Sequence, residues 1–235
     1  GASAADEVAP LLADAEEDLA WVPHQVGGGS PREPMAMRKP RCAALIALGA
    51  IGATQYAEEI VMRLADSDWE VRFCAVEGLA ALGAAAKGAG APAQVAARLD
   101  DEAYPVRARA CEALASWAHA DEEDADRLTA LLQDPAQAVR AEAALALAAC
   151  SEAPQQAASD IAKLLQDVSS NVRAAALRAL AALGDDARPY ASFAARLLGD
   201  PQPEVRAEAC RALPSFGARG AAFVDELEAC LRDPA

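Results

Sequence analysis

Aromatic residues make up only 4% of this 235-residue chain and histidine occurs twice, so two common constituents of enzyme sites are scarce. Lysine and arginine (21) fall well short of aspartate and glutamate (36), giving a formal net charge of -15. Nucleic-acid binding draws its non-specific affinity from clustered cations, so no nucleic-acid partner is expected. Apolar stretches are broken by charges well before they could span a bilayer, and no cleavable signal pattern opens the chain. Neither a membrane span nor a membrane partner is expected. The phosphate-cradle and nucleophile-elbow patterns GxGxxG, GxxxxGK[ST] and GxSxG are all missing. The glycine-rich runs at 27–29 and 88–90 lack the flanking strand that a phosphate cradle needs.

Ala and Leu dominate what is present. Hydrophobic residues reach 54%, and with so few aromatics that mass favours helix. Six cysteines occur without a CxxC pair. Cys111 and Cys210 fall four residues after a recurring Arg, as does Cys42 if Arg38 is that Arg in an earlier copy. Cys150 falls ten residues on, where other copies carry Leu82, Trp117, Leu183 and Phe216. Cysteines that share positions with Leu and Phe are packing residues, and a reducing, intracellular and cytoplasmic home is expected.

The recurring Arg belongs to a longer phrase. An Asp is followed six residues later by Val-Arg and seven residues after that by Leu, with the pairs Asp66/Arg72, Asp101/Arg107, Asp134/Arg140, Asp167/Arg173 and Asp200/Arg206. The Arg-to-Arg steps are 35, 33, 33 and 33 residues, a fixed period that marks a stacked solenoid. Val172, Ala176, Leu177, Leu180 and Leu183 lie on one face of a helix. A second amphipathic run, Ile161, Leu164 and Leu165, precedes it and closes at Asp167. Each unit therefore reads as helix, tight turn, helix. Gly83, Gly184 and Gly217 stop the second helix in their copies, and Asp-Pro at 134, 200 and 233 supplies a turn residue or N-cap.

The pattern Leu-x-Asp-x-x-x-x-Val-Arg-x-x-Ala-x-x-x-Leu at Leu132–Leu147, Leu165–Leu180 and Leu198–Leu213 resembles the HEAT repeat, in the short form named after phycobilisome lyases. The resemblance runs from about Leu45 to the C-terminus. It implies an all-α fold, an α-solenoid of about six stacked helix pairs. Helices packed about 8–10 Å apart would build a curved rod on the order of 60 Å long. It also implies that the Asp and Arg form a ladder between neighbouring repeats, a scaffold and not a site. Residues 1–235 read as a single array, with 1–49 a degenerate first repeat and 50–235 regular repeats of about 33 residues.

Two departures stand out. The first copy has Arg38 and Leu45 in register but Arg32 and Met37 at its Asp and Val positions, and 24 residues separate Asp14 from Arg38. That excess includes Trp21, Pro23, His24 and the run Gly27–Ser30, so an irregular loop is expected over 21–34. The last residues, Cys230–Ala235, match the entrance to a second helix that does not follow. The chain is expected to be a monomeric fragment of a longer array, with Gly1-Ala2-Ser3 a cloning remnant.

Among solenoids of this architecture, the deoxyhypusine hydroxylases bind two irons through His-Glu pairs just after the repeat Arg. The equivalents here are Ala141-Glu142 and Ala207-Glu208, which lack the imidazole. His119 lies near the acidic run Asp121–Asp126, where a solvated loop or helix start is the simpler reading. No enzymatic activity, cofactor or metal is expected.

Surface is what remains. Positions two and five after the repeat Arg are Cys74/Glu77, Arg109/Glu112, Glu142/Leu145, Ala175/Arg178 and Glu208/Arg211. The resemblance places them on the inner, concave face, where a mixed-charge groove with little bulk suits an extended peptide or a partner helix. Pairing along a solvated helix, such as Glu208 with Arg211, is the competing reading. Trp69 and Tyr104, each three residues after a repeat Asp, and Phe73 form a second candidate, because bulky side chains in exposed turns serve as anchors. The expected function is a non-catalytic scaffold or adaptor binding a protein or peptide. The alternatives are a bilin lyase or chaperone-like role, resting on fold analogy, and a structural segment of a large assembly.

Overall fold

The structure is a computed structural model that describes residues 4–13 and 39–231. The loop expected over 21–34, the register positions Arg32, Met37 and Arg38, and the final 232–235 lie outside the described residues. Every regular element among the described residues is helical, and the fold class is an α-solenoid of stacked helix pairs. The chain divides into two compact units, Gly1–Arg98 and Leu99–Ala235.

The first unit contains α1 (Ala4–Val8), α2 (Pro40–Ala50), α3 (Ala57–Met62), α4 (Trp69–Leu82), α5 (Ala84–Gly88) and α6 (Ala91–Ala96). Here α3 and α4 form one helix pair, and α2 lies along α4. Their backbones nearly touch, since a Cβ added to Gly78 would sit 2.5 Å from the Leu45 carbonyl oxygen and one added to Gly49 would sit 2.6 Å from that of Gly78. Only glycine permits that approach. Cys42 and Cys74 are fully buried in the same seam and share a hydrogen bond.

The second unit contains α7 (Tyr104–Trp117), α8 (Glu122–Leu131), α9 (Gln137–Cys150), α10 (Pro154–Lys163), α11 (Ser170–Leu183), α12 (Ala191–Arg196), α13 (Pro203–Ala212), α14 (Ala218–Ala221) and α15 (Val224–Cys230). The second helices α7, α9, α11 and α13 pack side by side in sequence order, and α8, α10 and α12 form the layer of first helices against them. Val106, Val139, Val172 and Val205 and the repeat leucines Leu114, Leu180 and Leu213 are fully buried between the layers. Each such side chain contributes about 1.5–3 kcal/mol through burial.

The turn between paired helices has one design. First helices tighten into a 3-10 turn such as Leu164–Gln166 or Leu197–Gly199, and the repeat Asp then leaves in extended conformation. Its carboxylate accepts from the amide two residues on, as in Ser169 N to Asp167 Oδ1 at 2.8 Å and Gln202 N to Asp200 Oδ1 at 2.9 Å. The repeat Asp is therefore the turn residue, and the N-cap falls two residues later. Gly83 and Gly184 terminate α4 and α11 at φ +58° and +55°. α7 reaches the same region with Ala118 at φ +46°, and α9 exits through extended Ser151.

Candidate functional site

Three seams of the second unit carry a repeated guanidinium clamp. Arg140 donates from Nε and Nη2 to both carboxylate oxygens of Asp167 at 2.8 Å, and Arg173 does the same to Asp200 at 2.8 Å. Arg107 grips Asp134 at 2.9 and 3.1 Å. The remaining nitrogen of each Arg returns to its own turn, as in Arg140 Nη1 to the Asp134 carbonyl at 2.8 Å and Arg173 Nη1 to that of Asp167 at 2.9 Å. One side chain thus fixes its own turn and the next repeat together, in the bidentate geometry that only guanidinium supplies. The ladder implied by the resemblance is present in these seams.

Electrostatics follow from that geometry. Burial pushes the Asp167 carboxyl up, but Arg140 and the Ser169 amide outweigh it and hold it below the usual carboxylate value. Asp200 behaves likewise under Arg173 and the Gln202 amide. The hydrogen bonds to Asp167 and Asp200 raise Arg140 and Arg173 in turn.

In the first unit Asp66 is met by Arg41, at 3.1 Å from Nη1 to Oδ2, one helical turn after the position expected of Arg38. Lys39 adds contacts to Asp68 and, at 2.7 Å, to Glu70. Sequence register missed Arg41 because it counted along the chain, whereas a helix face accepts a cation three residues away.

The ladder holds a strip of side chains on α7, α9, α11 and α13. The structure brings Arg109, Glu112, Glu142, Arg178, Glu208 and Arg211 onto these adjacent helices. Position two is less free than its spacing implied, since Cys74 and Ala175 are fully buried and the Arg109 and Glu208 side chains are only 16% and 20% exposed. The cause is packing between neighbouring second helices, since α4 lies against α2 and α11 lies against both α9 and α13. Position five faces solvent at Glu112, Arg178 and Arg211 and is half-buried at Glu77 and Leu145. Charges within a helix pair, Arg109 with Glu112 and Arg211 Nη1 with Glu208 Oε1 at 2.9 Å.

The aromatic candidates do not form one group within a unit. Trp69 and Phe73 lie on α4 of the first unit and Tyr104 opens α7 of the second. Trp69 and Tyr104 are the first residues of their helices and are 41% and 53% exposed, while Phe73 is half-buried. Sequence reading passed over an exposed ring on α12, Phe193, which lies 6.4 Å from the Tyr190 ring and 5.3 Å from the Arg196 guanidinium carbon. Neither ring carries the repeat phase, so nothing in the spacing marked them.

Among the described residues no group of three or more His, Cys, Asp or Glu side chains is placed to hold a metal, and no helix is long and apolar enough to cross a membrane. The acidic run at 121–126 is a helix start, with Asp121 capping α8 and exchanging hydrogen bonds with Asp124. All six cysteines are free, with Cys111 fully buried.

A family model described as HEAT repeats matches residues 37–115, 91–160, 125–192 and 158–235. No curated protein sequence matches the chain. Among solved structures, an engineered protein is 22% identical with a TM-score of 0.63, covering 93% of this chain and 98% of that one. A designed armadillo repeat protein in complex with peptide (KR)4 is 20% identical with a TM-score of 0.61, covering 92% and 100%. The CpcE–CpcF complex of phycocyanin lyase from Nostoc sp. is 16% identical with a TM-score of 0.56, covering 89% and 99%. At these identities the likeness shows the fold alone.

Proposed function

The chain belongs to the HEAT-repeat family, and from that premise we propose that it is a non-catalytic scaffold that seats a protein or peptide segment along α7, α9, α11 and α13. The observation that carries this reading is the sameness of the ladder. Arg140–Asp167 and Arg173–Asp200 repeat one geometry at 2.8 Å. With Arg107–Asp134 forming the same fork at 2.9 and 3.1 Å, like clamps join successive helices, so the position-five side chains Glu112, Leu145, Arg178 and Arg211 recur once per repeat. An extended chain also advances by a constant step, which is the condition for reading it repeat by repeat.

Mixed sign and small neighbours point to a partner segment carrying both charges. Arg178 and Arg211 are the exposed cations of the strip, and Arg211 shares its charge with Glu208 at 2.9 Å, so Arg178 is the freer of the two to meet an acidic side chain. The similar fold seen with peptide (KR)4 supports peptide binding as a use of this architecture. The test is a peptide array of acidic, basic and mixed-charge sequences, probed with the wild-type chain and with Arg178→Glu/Arg211→Glu. Mixed-charge peptides should be retained by the first and weakened at least tenfold by the second. No retained peptide, or equal retention by both proteins, would reject the reading.

A further inference from the structure

A cleft of about 400 Å³ lies between α8 and α10, in the first-helix layer of the second unit. α11 passes to α12 through the 3-10 segment Gly184–Tyr190, which packs against α10. By contrast α9 passes to α10 through Ser151, Glu152 and Ala153 alone. At the tenth residue after the repeat Arg, where other copies carry Leu82, Trp117, Leu183 and Phe216, this copy has the smaller Cys150, which lines the cleft. Both the filling segment and the bulky side chain are missing, so the gap between neighbouring first helices stays open.

The lining has two parts. Ala125, Leu147 and Ala157 give an apolar floor. Glu122, Asp126 and Glu152 stand exposed around it without a cationic partner among the described residues. Asp160, also on the lining, is already held by Lys163 at 2.6 Å.

We propose that this cleft docks a short Lys- or Arg-bearing segment of a partner protein, its small side chains on the alanine floor and its cations against Glu122, Asp126 and Glu152. Charge decides the occupant, because an acidic segment would set like charges together and a neutral one would leave three carboxylates uncompensated. Length agrees, since helices of ten residues such as α8 and α10 are about 15 Å long, room for four or five extended residues. This surface lies chiefly on the first helices and includes none of the strip's position-five residues, its α9 lining being Leu147 and Cys150.

The experiment is a fluorescence-anisotropy titration with a labelled alternating Lys-Ala peptide, and a Glu-Ala peptide as control. Four proteins are compared with wild type. One is the cleft variant Glu122→Gln/Asp126→Asn/Glu152→Gln, and another is Ala125→Leu, which fills the floor without changing charge. The third is Glu58→Gln/Glu59→Gln/Glu204→Gln, which removes three charges elsewhere, and the fourth is Arg178→Glu/Arg211→Glu. Wild type should bind the Lys-Ala peptide and not the Glu-Ala peptide. The first two variants should weaken binding at least tenfold while the last two retain it. Equal losses in both charge-removal variants would reduce the effect to net charge and overturn the proposal. Loss in the Arg178/Arg211 variant with the cleft variants unaffected would move the basic segment to the α7–α13 strip. That result would overturn the cleft and leave the scaffold reading intact. No binding by wild type would also overturn it.

Discussion

In the first unit the α2 and α4 backbones approach so closely that a Cβ on Gly78 would lie 2.5 Å from the Leu45 carbonyl oxygen. The seams of the second unit are instead spanned by guanidinium forks, Arg140 to Asp167 and Arg173 to Asp200, each bond at 2.8 Å. Both solutions place one second helix against another. Glycine contact fixes the distance, and the pairs Arg41–Asp66 and Lys39–Glu70 join the buried Cys42 and Cys74 in setting the register. The fork fixes distance and register together, because its two parallel bonds accept one orientation. A scaffold that must repeat its spacing gains from the second solution, and the strip assigned to binding lies where that solution is used.

Breaking the fork should cost most. Arg140→Ala leaves the largely covered Asp167 carboxylate with only the Ser169 amide and should lower unfolding free energy by about 3 kcal/mol, read as a fall in denaturant midpoint. Gly78→Ala attacks the other seam by forcing backbone against backbone, and should cost about 1–3 kcal/mol in the same measurement. An Arg140 loss no larger than the Gly78 loss would erase the distinction between the two seams.

Acid sharpens the comparison. Asp167 and Asp200 have folded values below the unfolded value of about 3.9, so their contribution is present above that pH and is lost as pH falls through the folded values. Stability should decline as pH drops below about 4, and Arg140→Ala should show a shallower decline over that window. Parallel profiles would remove the ladder as the acid-sensitive element.

Smaller effects test how each helix ends and what its surface contributes. Gly83 and Gly184 meet the positive-φ requirement freely, whereas Ala118 meets it at φ +46° with a Cβ in the way. Ala118→Gly should therefore raise thermal stability by up to about 1 kcal/mol, and a loss would show that the alanine side chain packs usefully. Arg178→Ala, on the solvent side of α11, should change the denaturant midpoint by less than about 0.5 kcal/mol.

Much of this fold was legible because the repeat phase encodes it. The Val-Arg step and the Leu seven residues on predicted the buried valines and leucines, and Gly83 and Gly184 marked true helix ends. The chain spacing also placed Arg178 and Arg211 on the exposed side. It failed where contacts between helices, and not along one, decide the outcome. Ala175 and Cys74 share a position with Arg109, yet flanking helices bury them. Arg41 reaches Asp66 from outside the register, and the cleft beside Cys150 arises from a link three residues long. Periodicity describes one helix at a time, and these features are properties of neighbours.

The measurement closest to the central claim is amide chemical-shift mapping of the uniformly labelled chain, titrated with the tightest mixed-charge peptide from the array. The account predicts shifts concentrated on α7, α9, α11 and α13 around Glu112, Leu145, Arg178 and Arg211, with α3 and α4 unchanged. Saturable binding with no shift along those four helices would contradict it.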